Sequence, residues 1–126
     1  MEKPLIAIVE DDLSLREFLE EVLSDAGYDV QGLPSGIAAF THLVNAPPAL
    51  LILDLHLGDD LEGGWDILTL LRADARTAHL PVILVSGNVK FLCQREWILE
   101  TKKHAPTLAK PFKGDVLLAK IQQLLT

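Results

Sequence analysis

Apolar residues in this chain fall into two kinds of run that alternate along its length. Leu5 to Val9 is apolar at every position and is closed abruptly by Glu10-Asp11-Asp12. So short a run without polar alternation predicts a strand covered on both faces. Leu15, Phe18, Leu19, Val22, Leu23 and Ala26 then recur at helical spacing. Ser14 and Glu17 have the spacing of a capping box, and Gly27 is a good stop. Tyr28 to Leu33 reads as a short strand, and Ser35 as the cap of a helix built on Ile37, Phe40, Leu43 and Val44 and ended by Pro47-Pro48. Leu50 to Leu53 is a second fully apolar run, closed by Asp54 and followed by a polar, Gly-rich loop from His56 to Gly64. Trp65, Leu68 and Leu71 mark the next helix. Pro81 to Val85 is another apolar run, closed by Ser86-Gly87, and a fourth helix is expected from Val89 to about Thr101. A weak strand at Thr107 to Ala109 is closed by Lys110-Pro111-Phe112, and Leu117, Ile121, Leu124 and Leu125 form a last amphipathic helix.

A strand followed by a helix, five times over, implies an α/β fold: a parallel sheet with helices on both faces. No repeat, low-complexity stretch or linker interrupts the pattern, so residues 1–126 are read as one domain. At 126 residues and 49% apolar, the chain is long enough to bury a real core. The net charge of −7 argues against nucleic acid as a direct partner, since phosphate binding needs clustered Lys and Arg. Cys93 is the single cysteine; it permits no internal disulfide, suits a reducing compartment and is read as packing. The apolar run at the start is too short for a signal peptide or a membrane span, so a cytoplasmic protein is expected.

The chemistry collects where strands end. In an open parallel sheet all the C-terminal strand ends lie on one edge, and ligands bind in the crevice there. Asp11, Asp54, Ser86 and Lys110, scattered in sequence, should therefore converge. Clustered carboxylates repel one another, and a divalent cation resolves that repulsion. Hard oxygen ligands in low number favour Mg²⁺. A carboxylate can also attack phosphorus to form an acyl phosphate. The transferred group carries charge on three oxygens, which Mg²⁺, the Lys110 ammonium and the Ser86 hydroxyl can share. Taken singly, each of these residues is ordinary: Asp11-Asp12 as a cap, Ser86-Gly87 as a turn. Their joint placement at strand ends carries the reading.

Four motifs, Ile8-Val9-Glu10-Asp11-Asp12, Leu51-Ile52-Leu53-Asp54-Leu55, Val85-Ser86-Gly87 and Leu108-Ala109-Lys110-Pro111-Phe112, resemble the signatures of two-component response-regulator receiver domains, the chemotaxis-regulator-like superfamily. The resemblance covers essentially the whole chain. It implies a flavodoxin-like (βα)5 three-layer sandwich with strand order 2-1-3-4-5. It further implies that Asp54 is the phosphoacceptor, that Asp11 and Asp54 bind Mg²⁺ directly with the backbone carbonyl of His56, and that Glu10 acts through water. Arg16, matching a common Arg of the first helix, sets this register and leaves Asp12 as a flanking acid; the alternative takes Asp11-Asp12 as the acidic pair. Ser86 becomes the switch hydroxyl and Lys110 the phosphate-pairing cation, with Gly87, Asn88 and Pro111 beside them. The Lys110-Pro111 bond is usually cis in this family. A receiver of this kind accepts a phosphoryl group from a histidine kinase or phosphotransfer protein, catalyses only its own phosphorylation and autodephosphorylation, and controls an output domain or effector. The resemblance leaves open a homodimer through the fourth helix, fifth strand and fifth helix, and assigns no membrane or direct nucleic-acid partner.

The sequence departs from the family pattern in places. The place of the usual loop Pro is Gly58, the glycines fall at Gly63 and Gly64, and the loop reads as one residue longer, with Asp59, Asp60 and Glu62 making it very acidic. Thr107 stands where many receivers carry the Tyr or Phe of the aromatic switch, so a conventional rotamer switch is not expected. His56 and Asn88 lie two residues after the phosphoacceptor and the switch Ser, flanking the path of the hydrolytic water, and are predicted to set phosphoryl lifetime. Trp97 in the fourth helix is a candidate for a partner surface. A haloacid-dehalogenase-type hydrolase would need a second Asp where His56 stands, a pseudo-receiver would not need the intact acid, Ser and Lys set, and a flavin site would need a phosphate-cradling loop after the first strand.

Overall fold

The computed structural model describes residues 3–33, 37–55, 63–87 and 105–126. Their elements run β1 (Leu5–Val9), α1 (Leu13–Asp25), β2 (Asp29–Leu33), α2 (Ile37–Asn45), β3 (Leu50–Asp54), α3 (Gly63–Ala73), β4 (Val82–Ser86), β5 (Thr107–Ala109) and a C-terminal helix α4 (Gly114–Leu125). The expected fourth helix from Val89 to Thr101 lies outside the described residues.

All strand pairs are parallel, and the sheet order is β2-β1-β3-β4-β5, the flavodoxin-like order 2-1-3-4-5. The unbroken apolar runs follow from burial on both faces. Ala7, Val9, Leu51, Leu53, Val82 and Leu84 pack against Leu43 and Val44 of α2 and Ile67, Leu68 and Leu71 of α3. Ile6, Ile8, Leu50, Ile52, Ile83 and Val85 pack against Leu19 and Leu23 of α1 and Leu117 and Ile121 of α4. Truncating one of these fully buried leucines to Ala should cost about 2–5 kcal/mol.

The start of α1 differs from expectation. The cap is Asp12, not Ser14: its Oδ1 accepts the Leu15 backbone N–H at 3.3 Å, and its backbone is extended. Asp12 wins because the chain leaves β1 only three residues before it, and a helix that starts there brings the acidic turn back over the sheet edge. The other end is a glycine stop. Gly27 has φ +96°, its N–H donates to Ser24, and the Tyr28 N–H donates to Leu23, closing a Schellman motif. Phe18, counted among the apolar helix positions, is 44% exposed, because α1 turns this side toward the open rim beside Gly114 of α4.

Candidate phosphorylation site

Three strands deliver the acidic and basic groups to one edge. Glu10 follows β1 and Asp54 ends β3; they are only 2% and 3% exposed. Asp11, beside Glu10, is exposed. Carboxylate oxygens of Glu10, Asp11 and Asp54 lie within 4.8 Å of one another, a hard oxygen donor set of the kind that suits a divalent cation. This grouping separates the three consecutive acids by task. Glu10 and Asp11 join the cluster, while Asp12 caps α1, an arrangement that favours Glu10 with Asp11 over Asp11 with Asp12 as the acidic pair.

Lys110, just past β5, reaches both buried acids. Its Nζ lies 3.1 Å from Glu10 Oε2, 3.3 Å from Glu10 Oε1 and 3.2 Å from Asp54 Oδ2. The Lys110 backbone is fixed as well: its N–H donates to the Ser86 carbonyl at 2.8 Å, and the Lys110-Pro111 peptide is cis. Ser86 ends β4, opposite Ala109, with its side chain buried. Gly87 and Pro111 are exposed beside it. Pro111 lines an open groove of about 430 Å³ with Asp12, Leu15, Phe18, Lys110 and Phe112.

The charges are strained against one another. Burial, with the neighbouring Asp54 charge, pushes the Glu10 carboxyl up to about 7, although the Lys110 ammonium and the Asp12 backbone N–H both pull it down. Burial alone would lower Lys110, but its hydrogen bond to Glu10 and the charges of Asp54 and Glu10 outweigh that and raise it. One ammonium is shared between two buried carboxylates, and their mutual repulsion is part of what raises Glu10.

Two features were not foreseen from sequence. The first is Lys110 bridging Glu10 as well as Asp54. The second is Gly64. A Cβ there would sit 2.1 Å from the Asp54 carbonyl oxygen and 2.6 Å from Leu55 Cα, and its N–H donates to the Leu55 carbonyl at 2.8 Å. The start of α3 therefore packs directly on the backbone of the phosphoacceptor candidate, which only glycine permits. Of the two adjacent glycines, Gly63 and Gly64, the close approach is made at Gly64. The doubled glycine opening an apolar helix was the available signal, since glycine inside a helix costs about 1 kcal/mol and needs a packing reason.

Thr107 begins β5 beside Leu84 and is half-buried. Trp65 packs partly buried against the α2–α3 face. His56, Gly58, Asp59, Asp60, Glu62, Asn88, Cys93 and Trp97 lie outside the described residues. Among the described residues, no helix is long and apolar enough to cross a membrane.

The response regulator receiver domain model matches residues 6–122. This chain belongs to that family. The general function of its members is that of a phosphorylation-dependent switch in two-component signalling, and they are not usually catalytic enzymes. The transcriptional regulatory protein GltR of Pseudomonas aeruginosa is 32% identical over 121 residues, 95% of this chain and 48% of that protein. The sensor histidine kinase TmoS of Ectopseudomonas mendocina is 29% identical over 125 residues, 99% of this chain and 12% of that protein. A solved structure of a sensor protein from Polaromonas sp. JS666 superposes with a TM-score of 0.83 at 27% identity, covering 97% of this chain and 95% of that one. The receiver thus spans about half the length of several curated relatives it matches.

Proposed function

We propose that this receiver takes a phosphoryl group from a phosphohistidine onto Asp54, with Mg²⁺ as cofactor, and passes the change on to an output domain or effector. The observation that carries this reading is the sharing of Lys110 between the two buried acids Glu10 and Asp54. An Asp54 carboxylate oxygen attacks phosphorus, the P–N bond to the donor imidazole breaks, and the imidazole leaves with its electron pair and takes up a proton. Mg²⁺, when bound, supplies charge that offsets the transferred oxygens and the repulsion among the carboxylates. Asp11 and Asp54 would hold it, with Glu10 acting through water, and the family resemblance adds the His56 carbonyl to that set. Lys110 moves from the Asp54 carboxylate to a phosphoryl oxygen, and the Ser86 hydroxyl donates to another. Because the Lys110 N–H is bonded to the Ser86 carbonyl, movement at either residue is felt at the other. With Thr107 in place of an aromatic, the readout runs through the backbone around Ser86 and Lys110 rather than through a ring swinging inward.

The partners of this reading are a histidine kinase or a phosphotransfer protein upstream. The chain acts on no substrate beyond its own phosphoryl group. Residues 1–126 form one receiver domain, which the match over 6–122 supports. Direct nucleic-acid contact is not assigned to it; for relatives such as the DNA-binding regulator RpaA of Synechocystis, the match spans 49% of the protein. The setting is cytoplasmic, in keeping with the lone Cys93.

Intact mass after incubation with Mg²⁺ and acetyl phosphate tests the reading. One stoichiometric phosphoryl adduct that decays slowly supports the switch. Continuous turnover of the phosphodonor would point to a hydrolase instead, and no adduct from either acetyl phosphate or a kinase would make the domain a pseudo-receiver.

A further inference from the structure

Arg16 takes part in none of the steps above, yet its side chain leaves α1 and runs over the sheet to the acidic turn. Its Nη1 donates to the backbone carbonyl of Glu10 at 3.2 Å. That carbonyl belongs to the peptide unit joining Glu10 to Asp11, two of the clustered carboxylates. Holding the plane of this peptide restrains ψ of Glu10 and φ of Asp11, two of the dihedrals that set where these side chains leave the backbone.

The path of Arg16 is made by a glycine. Gly32, in β2, lies beside Ile8 of β1. A Cβ at Gly32 would stand 3.0 Å from Arg16 Cδ, 3.5 Å from Arg16 Nε and 3.1 Å from Glu20 Oε1. Val30 of β2, and Tyr28 just before the strand, carry large side chains packed on the α1–α4 face. Gly32 therefore leaves a channel between α1 and the edge strand, and the stem of Arg16 fills it. A strand interior otherwise has no use for glycine, which adds nothing to pack and weakens the strand.

We infer that Arg16 is a positioning residue for the metal-binding carboxylates, seated by Gly32, and that it acts through the Glu10–Asp11 peptide rather than by touching the metal or the phosphoryl group. The inference rests on the Mg²⁺ site proposed above. It differs from a purely structural role for Arg16 in one measurable respect: metal affinity should change while the fold does not. Groups that orient metal ligands from behind typically change affinity by ten- to a hundredfold when removed.

The test is calorimetric titration of Mg²⁺ into the wild-type chain, Arg16→Ala, Gly32→Val and the double variant, with thermal melting of each in metal-free buffer. Valine is a strong strand former, so Gly32→Val should fold. Both single variants should bind Mg²⁺ on the order of tenfold more weakly, with melting midpoints close to wild type. The double variant should bind no more weakly than Arg16→Ala, because the valine acts only by displacing Arg16. An Arg16→Ala affinity within twofold of wild type would overturn the inference, as would additive losses in the double variant. Failure of the wild type itself to bind Mg²⁺ would remove the proposed metal site and this inference with it, whereas wild-type binding with an unaffected Arg16→Ala would remove the inference alone.

Discussion

Arg72 and Lys110 close opposite edges of the same sheet, and the acceptors they meet differ in kind. Arg72, near the end of α3, donates through Nη1 to the carbonyls of Leu80 at 2.7 Å and Thr77 at 3.3 Å, on the segment that leads into β4. Thr77 is itself buried, with its hydroxyl on the Leu71 carbonyl. Burial lowers the pKa of Arg72. Lys110, past the end of β5, meets the carboxylates of Glu10 and Asp54. Carbonyls keep the same partner through any reaction. Carboxylates gain protons, metals or phosphoryl groups, and each event changes what their cation is bound to. The same physics that makes the Arg72 end a fixed closure makes the Lys110 end responsive.

The strongest way to break this contrast is Lys110→Ala. It should slow phosphorylation by acetyl phosphate on the order of a hundredfold, the scale of losing one preorganised charge partner of a transferred group. Quenched time courses by mass would check it, and a rate near wild type would place the responsive cation elsewhere. Gly64→Ala comes next. The new Cβ cannot coexist with the Asp54 carbonyl, so the start of α3 must shift, at a cost of about 3 kcal/mol in chemical denaturation. Phosphorylation should fall with it, since the displaced backbone is that of Asp54. Arg72→Ala should cost about 2 kcal/mol for the carbonyls left without their charged donor, and should leave the phosphorylation rate unchanged. A slowed rate in that variant would mean that the two edges are coupled.

The contrast also has a pH dependence. Glu10 titrates at about 7 in the folded chain against 4.5 ordinarily, with burial the first cause and the Asp54 charge the second. Across that interval the native state holds a proton that the unfolded chain has released. Its contribution to stability is complete below about pH 4.5 and is lost as pH rises through about 7. Denaturation midpoints in metal-free buffer should therefore drop from about pH 5 to pH 8, and Glu10→Gln should flatten that slope. An unchanged slope in the variant would assign the titration to another group.

Much of this was legible because each informative residue ends an apolar run. The strand-end rule needs only the β-α order, and from that order alone it places Asp11, Asp54 and Lys110 together. Burial on both faces explains why β1, β3 and β4 were plain and why β5, three residues long, was weak. The division of labour among Glu10, Asp11 and Asp12 was harder to read, because three adjacent acids look alike in sequence and only the direction of the chain leaving β1 decides which one caps α1. Gly64 and the Arg16–Gly32 contact were not legible for a related reason. They are close approaches between segments far apart in sequence, and a glycine does not announce which neighbour it makes room for.

The central claim is that Asp54 carries the phosphoryl group. Phosphorylate the chain with acetyl phosphate and Mg²⁺, trap the acyl phosphate by borohydride reduction, and map the modified residue by peptide mass spectrometry. The account predicts a Mg²⁺-dependent modification on the peptide containing Asp54, absent in Asp54→Asn. Modification at Asp11 or Asp12, or an adduct that survives Asp54→Asn, would contradict it.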